Sequence, residues 1–206
     1  MLVADEMAMR FGRRVLFRGL SLELPGGASL AVTGANGSGK TTLLKLMAGL
    51  LRPTSGRIAL RANGETVPRE ERPLRCGLAA PYLRTYESFT ARENLSFLAR
   101  VRQLPDASAR IDEVLDEVGL ADRADDRVAT FSSGLKRRIA YAAALLADPP
   151  LLLLDEPRAN LDAAGLAMSR RIQKRQRERG GLLVVATNDP DEAERHERRL
   201  HVEDYV

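Results

Sequence analysis

Tryptophan is absent from this sequence of 206 residues, cysteine occurs once and histidine twice. A single cysteine, Cys76, excludes an intrachain disulfide, so we expect the chain to work in a reducing compartment. No His, Asp or Glu cluster adjoins Cys76 in the sequence. We therefore interpret Cys76 as a small, semi-buried apolar residue and not as a nucleophile.

Long apolar runs are also missing. No stretch approaches the ~20 apolar residues that a transmembrane helix needs, and the N-terminus MLVADEMAMRFGRR carries acids where a signal peptide has a cationic start. The net charge of +4 permits an acidic partner such as a nucleotide without requiring one. We expect a single domain over residues 1–206, whose membrane contacts would pass through partner proteins.

The apolar pattern predicts an α/β fold with a mostly parallel sheet. Three short runs, each bounded by Gly, Pro or Asp, are typical of buried parallel strands: Leu30–Thr33, Leu151–Leu154 and Leu182–Ala186. Helical periodicity covers Thr41–Leu51, recurs over Ile111–Val118 until Gly119, and begins again after Ser133. The N-terminal segment Leu2–Glu23 has the looser alternation of antiparallel strands, and residues 82–133 indicate a helical insertion.

The segment LAVTGANGSGKTTLL has the strongest pattern in the chain. Gly34–Thr41 has the glycine spacing of a phosphate-binding loop, and it follows a strand and opens a helix, as that motif requires. Backbone N–H groups can curl around an anion there because glycine lacks a side chain. We predict that Lys40 reaches the β- and γ-phosphates, that Thr41 binds Mg²⁺ and that Thr42 contacts the α-phosphate. The full predicted nucleotide loop is Gly34, Ala35, Asn36, Gly37, Ser38, Gly39, Lys40, Thr41 and Thr42.

The segment LLLLDEP places two acids at the end of a buried strand. Asp155 would then lie beside the phosphate loop and hold Mg²⁺ directly or through water. Glu156 would accept a proton from an attacking water.

The segment FSSGLKRR places Ser132, Ser133 and Gly134 at the start of a helix. Free N–H groups and hydroxyls there favour an anion, although serine is also an ordinary helix cap. The basic run Lys136–Arg138 is equally compatible with a solvated helix face.

Together these motifs resemble the nucleotide-binding subunit of ABC transporters over nearly the whole chain. GANGSGKTT matches the Walker A motif, LLLLDEP the Walker B motif, FSSGLKRR the family signature, and ANLD, which ends at Asp162, the D-loop. Phe11 matches the aromatic residue that stacks on adenine. The resemblance implies a P-loop ATPase core over residues 1–81 and 134–206 with a helical subdomain over 82–133.

The resemblance also implies the cofactors and partners. ATP and Mg²⁺ would be held in a head-to-tail dimer, where Ser132, Ser133 and Gly134 of one subunit meet the γ-phosphate on the other. The partners would be a second ATP-binding subunit, identical or different, and transmembrane permease subunits on separate chains, with no nucleic acid. The location would be cytoplasmic, at the inner face of the membrane.

Three motifs depart from the family pattern. In the signature, Ser133 replaces the first glycine and Leu135 replaces the glutamine. No glutamine lies between Cys76 and Asn94, and Pro81 or Tyr82 takes the glutamine-loop position. Asn188 replaces the usual switch histidine, and an amide can donate a hydrogen bond to the γ-phosphate but cannot carry a proton. We therefore predict weakened hydrolysis. The short chain and these departures resemble the heme exporter ATPases of cytochrome c maturation.

Two alternatives to a transport ATPase remain open at this stage. One is a cassette of DNA repair, chromosome organisation or translation, although the coiled-coil, zinc and tandem insertions of those relatives are missing. The other is a nucleotide-binding regulator with weak hydrolysis, against which the retained Glu156 argues. A P-loop kinase or GTPase would leave the signature-like and D-loop-like segments without a role.

Overall fold

A computed structural model describes residues 1–62 and 64–206. The strands are β1 (Leu2–Phe11), β2 (Arg14–Leu24), β3 (Ser29–Thr33), β4 (Ser55–Ala62), β5 (Glu65–Val67), β6 (Cys76–Ala79), β7 (Leu151–Asp155), β8 (Leu182–Ala186) and β9 (Arg198–His201). The α-helices are α1 (Lys40–Met47), α2 (Arg72–Arg75), α3 (Ala91–Val101), α4 (Ala107–Glu117), α5 (Ser133–Leu145), α6 (Ala163–Glu178) and α7 (Pro190–Ala193). Short 3-10 turns cover Ala121–Arg123, Val128–Thr130 and Val202–Tyr205.

The central sheet is parallel and runs in the order β6-β7-β8-β3-β9. The three strands expected from the apolar runs, β3, β7 and β8, lie side by side in it. Every residue of β7 and β8 is buried, because layers cover both faces of a parallel sheet. The α/β class with a mostly parallel sheet is confirmed.

The N-terminal strands form a separate antiparallel sheet in the order β2-β1-β4-β5. The expected antiparallel segment is confirmed as β1 and β2, whereas β4, β5, β6 and β9 were not expected from the apolar pattern. Strands β5, β6 and β9 have only three or four residues, and the apolar residues of β4 are bounded by Arg57 and Arg61, so none of the four has a long apolar run.

Successive side chains of the parallel strands point to opposite faces of the sheet, so the core has two parts, one on each face. Leu151 and Leu153 pack with the antiparallel sheet and α1, and Leu152 and Leu154 pack on the opposite face with α3, α4 and α5. Asp155 continues the first series, so the strand period itself turns this carboxylate toward α1.

The helix expected over Thr41–Leu51 is shorter in the structure, since α1 ends at Met47. Gly49 has φ of 78°, the left-handed conformation that ends many helices. Its N–H donates to the Leu46 carbonyl at 3.0 Å, and the Leu50 N–H donates to the Lys45 carbonyl at 2.9 Å. These two bonds form a Schellman cap, which overrides the apolar periodicity of the next residues.

Within residues 82–133, where a helical insertion was expected, α3, α4 and two 3-10 turns occupy the part after residue 90, and residues 82–90 form turns and loop. Helix α4 is followed by Gly119 with φ of 70°. Throughout the described part of the chain, each helix is too short or too polar to cross a membrane.

His196 stands among charged residues in the sequence, a setting typical of the protein surface, but the structure places it elsewhere. The His196 side chain is buried, and neither ring nitrogen has a hydrogen-bond partner among the described residues. Burial lowers its pKa to about 4, with Arg177 and Arg195 adding to the effect.

This buried histidine predicts a loss of stability in acid. The folded pKa lies below the unfolded value of 6.5, so the unfolded chain binds more protons between pH 6.5 and 4. As the pH decreases from 6.5 to 4, this residue should lower the free energy of unfolding by up to about 3 kcal/mol. Urea unfolding of His196→Leu at several pH values should show a flatter pH dependence than wild type, and the exposed His201→Gln variant should keep most of the slope. Equal slopes for wild type and His196→Leu would contradict the assignment.

Candidate functional site

The candidate site lies where β3, β8 and β7 end next to one another. Parallel strands present their carboxyl ends at one edge of a sheet, which is the usual ligand position in such folds. Gly34 follows β3, Asp155 ends β7, and Asn188 comes two residues after β8. Residues far apart in the sequence therefore meet at one edge.

The loop between β3 and α1 has the backbone that an anion cradle needs. Gly34, Gly37 and Gly39 have φ of 142°, 80° and 115°, values that residues with side chains rarely adopt. A Cβ atom on Gly34 would lie 2.7 Å from the Ser38 hydroxyl oxygen, too close to be accommodated. That hydroxyl is itself buried without a hydrogen-bond partner in the described part of the chain. The loop thus leaves both space and an unused donor for a phosphate.

Lys40 supplies the positive charge in this cradle. The residue is buried, and its ammonium donates to the carbonyls of Gly34 at 2.7 Å and Ala35 at 3.1 Å. A third bond, of 2.5 Å, goes to Oδ1 of Asn188, whose Nδ2 donates to Oδ1 of Asn36 at 2.6 Å. All of these partners are neutral, so the ammonium carries an uncompensated charge that suits a phosphate.

Thr41 and Asp155 form the predicted pair. The threonine hydroxyl donates to Oδ2 of Asp155 at 2.6 Å, and the carboxylate is buried. Two hard oxygen ligands suit Mg²⁺, which takes only one or two protein ligands and completes its shell with phosphate and water. The glycine cradle, the lysine charge and this oxygen pair together fit a magnesium nucleotide.

Glu156 has an unusual backbone. Its φ is 48°, and its N–H donates to the Ala186 carbonyl at 2.8 Å. Its carboxyl lies near the backbone N–H of Asn188 and near Lys40. Burial raises the pKa of the Glu156 carboxyl, and the Asn188 N–H and the Lys40 charge oppose that rise. A half-buried carboxylate with a raised pKa is a suitable general base for water.

The second predicted phosphate surface lies elsewhere on the molecule. Ser132 caps α5, and its hydroxyl accepts from the Leu135 N–H at 3.3 Å. Asp162 caps α6 at 2.7 Å from the Gly165 nitrogen and also accepts from Arg138 at 3.0 Å. No hydrogen bond in the described ranges joins Ser132, Ser133, Gly134 or Asp162 to the phosphate loop.

Phe11 and Tyr82 are both exposed aromatic residues. Phe11 ends β1 and is 52% exposed, so it lies outside the apolar core. Tyr82 is one of the two residues at the expected glutamine-loop position, and the Lys45 ammonium lies 4.3 Å from the centroid of its ring. Burial raises the pKa of the Tyr82 hydroxyl to about 12, and the nearby Asp155 adds to the rise.

Sequence reasoning missed the role of three residues. Arg137 was grouped with a solvated helix face but is only 5% exposed and contacts the backbone of the acid pair. Arg14 donates to the Gly37 carbonyl at 2.8 Å, and Glu203 accepts from the Ala35 N–H at 3.2 Å. No local signal marks them, since each acts on a segment distant in the sequence.

Comparisons with known proteins agree on one family. The profile of the ABC transporter family matches residues 17–159, which contain the phosphate loop and the acid pair. The cytochrome c biogenesis ATP-binding export protein CcmA of Pseudomonas syringae pv. tomato is 40% identical over 191 residues, which cover 91% of this chain and 87% of CcmA. The linearmycin resistance ATP-binding protein LnrL of Bacillus subtilis is 33% identical over 198 residues, which cover 94% of this chain and 63% of LnrL. A solved ATP-binding subunit of an ABC transporter is 26% identical with a TM-score of 0.85, covering 95% of this chain and 82% of that one.

The geometry of Asn188 generates a prediction about turnover. Histidine at this position could donate a charge-assisted hydrogen bond to a phosphate, roughly 1 kcal/mol stronger than an amide bond. Asn188→His should therefore hydrolyse ATP about five- to tenfold faster at saturating ATP, and Asn188→Ala should be slower than wild type. Steady-state phosphate release measures both, and an Asn188→His variant no faster than wild type would contradict the prediction.

Proposed function

This chain belongs to the ABC transporter family and is an ABC-type ATPase, and we propose that it powers a membrane transporter through ATP-driven closure of a head-to-tail dimer. The observation that carries the proposal is the meeting of Lys40, the Thr41–Asp155 pair and Glu156 at one sheet edge. The similarity to CcmA, over 87% of its length, supports an export role in cytochrome c biogenesis of the heme exporter type.

Each residue has a distinct task in the proposed reaction. The glycine-rich loop and Lys40 bind the phosphates, and Phe11 stacks on the adenine ring. Thr41 and Asp155 would hold Mg²⁺, which neutralises charge on the β- and γ-phosphates when bound. Glu156 takes a proton from the attacking water, and the Asn188 side chain donates to the γ-phosphate.

The position of the signature-like segment, Ser132–Gly134, supports the proposed dimer. Ser132, Ser133 and Gly134 begin a helix of 13 residues, where free N–H groups favour an anion. They make no hydrogen bond to their own phosphate loop within the described residues. A second subunit facing head to tail would present this segment, with Asp162, to the γ-phosphate on the first. Closure then depends on ATP because only the closed state gains those contacts.

A groove beside the proposed helical subdomain, residues 82–133, is a suitable docking site for a permease. Its volume is about 270 Å³, and its lining is mainly apolar, with Leu50, Leu78, Leu83 and Leu98. Arg102 also lines it, and its NH1 atom is buried without a partner in the described ranges. The occupant we propose is a permease helix with an apolar face and one carboxylate that pairs with Arg102. Binding there would place the chain at the inner face of the membrane.

The hydrolytic assignment is tested by comparing wild type with Glu156→Gln. We expect wild type to turn over ATP only with Mg²⁺, and the variant to lose at least about a hundredfold in turnover, the range of general-base catalysis. The variant should still bind ATP and form a dimer, measured by size-exclusion chromatography with light scattering. Turnover by the variant at the wild-type rate would exclude Glu156 as the base.

The docking groove is tested by Leu83→Glu, which puts a charge into the apolar lining at a half-exposed position. Co-expressed with its permease and extracted in detergent, this variant should lose the complex while its own ATP turnover stays within about twofold, because surface changes seldom disturb the fold. Leu74→Glu is the matched control, since Leu74 is similarly exposed but does not line the groove. Recovery of the complex with Leu83→Glu would contradict the docking proposal.

A further inference from the structure

Arg137 is a buried cation with no carboxylate partner. It lies in the second turn of α5, is 5% exposed, and forms no salt bridge within the described residues. Burial lowers the pKa of its guanidinium. A charge in such a place is costly, because the hydrogen bonds that replace its lost hydration go to neutral carbonyls. Arg137 must therefore make contacts at this position that an apolar side chain could not make.

Those contacts are with the backbone of the acid pair. The guanidinium donates from NH2 to the carbonyls of Asp155 at 2.5 Å and Glu156 at 3.0 Å. Tyr141, one turn further along α5, donates to the Pro157 carbonyl at 3.1 Å, and the guanidinium lies 5.6 Å from its ring centroid. Two stacked side chains on one face of α5 thus satisfy three successive carbonyls.

The backbone that they hold is strained. Glu156 has φ of 48°, a conformation that costs energy for any residue except glycine and persists only when its surroundings enforce it. In a regular strand, Glu156 would follow the series of Leu152 and Leu154 and face away from α1. With the left-handed turn, its carboxyl is instead near the Asn188 N–H and Lys40.

We propose that Arg137 is a positioning residue for the ATPase reaction: its guanidinium holds the Glu156 backbone in the left-handed turn that aims the carboxylate at the attacking water. This inference rests on the proposed role of Glu156 as the general base. Arg137 acts through that residue and does not itself contact the nucleotide.

A positioning role predicts that turnover and ATP binding respond differently to a change at Arg137. The guanidinium donates to the backbone of Asp155 and Glu156 and to no residue of the phosphate loop within the described chain. Its loss should therefore lower turnover while ATP affinity stays close to that of wild type.

The test compares Arg137→Gln, Arg137→Lys and Arg110→Gln. In Arg137→Gln we expect turnover at saturating ATP to fall about ten- to a hundredfold, since a misplaced catalytic group costs that much. ATP affinity should stay within about threefold, because the loop that binds phosphate is untouched. Arg137→Lys keeps the charge but loses the fork of donors, so it should recover only part of the turnover lost in Arg137→Gln.

Arg110→Gln is the matched control. Arg110 also donates to two backbone carbonyls, those of Leu145 at 2.8 Å and Leu146 at 3.4 Å, but at the C-terminal end of α5. This variant should lose stability without a change in turnover or in ATP affinity.

The outcomes separate this inference from the proposed function. If Glu156→Gln is inactive while Arg137→Gln keeps wild-type turnover, the positioning role is wrong and the ATPase assignment stands. If Glu156→Gln retains turnover, the base assignment fails and the positioning role fails with it. Should Arg137→Gln not fold, Arg137→Lys decides: reduced turnover with unchanged ATP affinity supports the proposal, and full turnover overturns it.

Discussion

The hydrogen bond from Thr41 to Asp155 is the contact on which the candidate site depends. It joins residues 114 positions apart in the sequence at 2.6 Å. It forms because β3, which leads into α1, and β7 are separated in the sheet only by β8, so their carboxyl ends share one edge. The same adjacency brings Asn188, after β8, to Lys40 and Asn36. If the order of these three strands changed, the phosphate loop and the acid pair would no longer meet.

Three buried charged groups lie at or beside this contact, and each has a different kind of hydrogen-bond partner. Lys40 is satisfied by neutral oxygens, Asp155 by the Thr41 hydroxyl, and Arg137 by backbone carbonyls. None of these partners cancels the charge, although buried charges are usually paired. The site therefore presents both positive and negative charge to a ligand. A magnesium nucleotide, which has anionic phosphates and a cation, matches this arrangement. Stability alone would favour apolar residues at these positions, so the charges are consistent with a catalytic purpose.

The glycine residues and the left-handed turn at Glu156 show how strain is distributed in the site. Gly34 and Gly39 adopt positive φ without cost because they lack a Cβ atom. Glu156 cannot be glycine, since its carboxylate is needed, and its turn is held instead by bonds from Arg137 and to Ala186. The loop that binds is thus relaxed, and the residue proposed to act on water is constrained by its neighbours.

Much of this protein could be read from its sequence, because the decisive signals are local. Strand period, helix period and glycine spacing each operate within about ten residues, and they predicted β3, β7, β8, the phosphate loop and the acid pair. The sequence also placed Asp155 beside Thr41 through the motif alone. The tertiary structure decided what depends on distant neighbours: the burial of His196, the early end of α1 at Gly49, the approach of Glu203 to Ala35, and the role of Arg137. A basic residue on a helix is buried or solvated according to what packs against it, and that packing is set by the order of strands in the sheet, which no local pattern encodes.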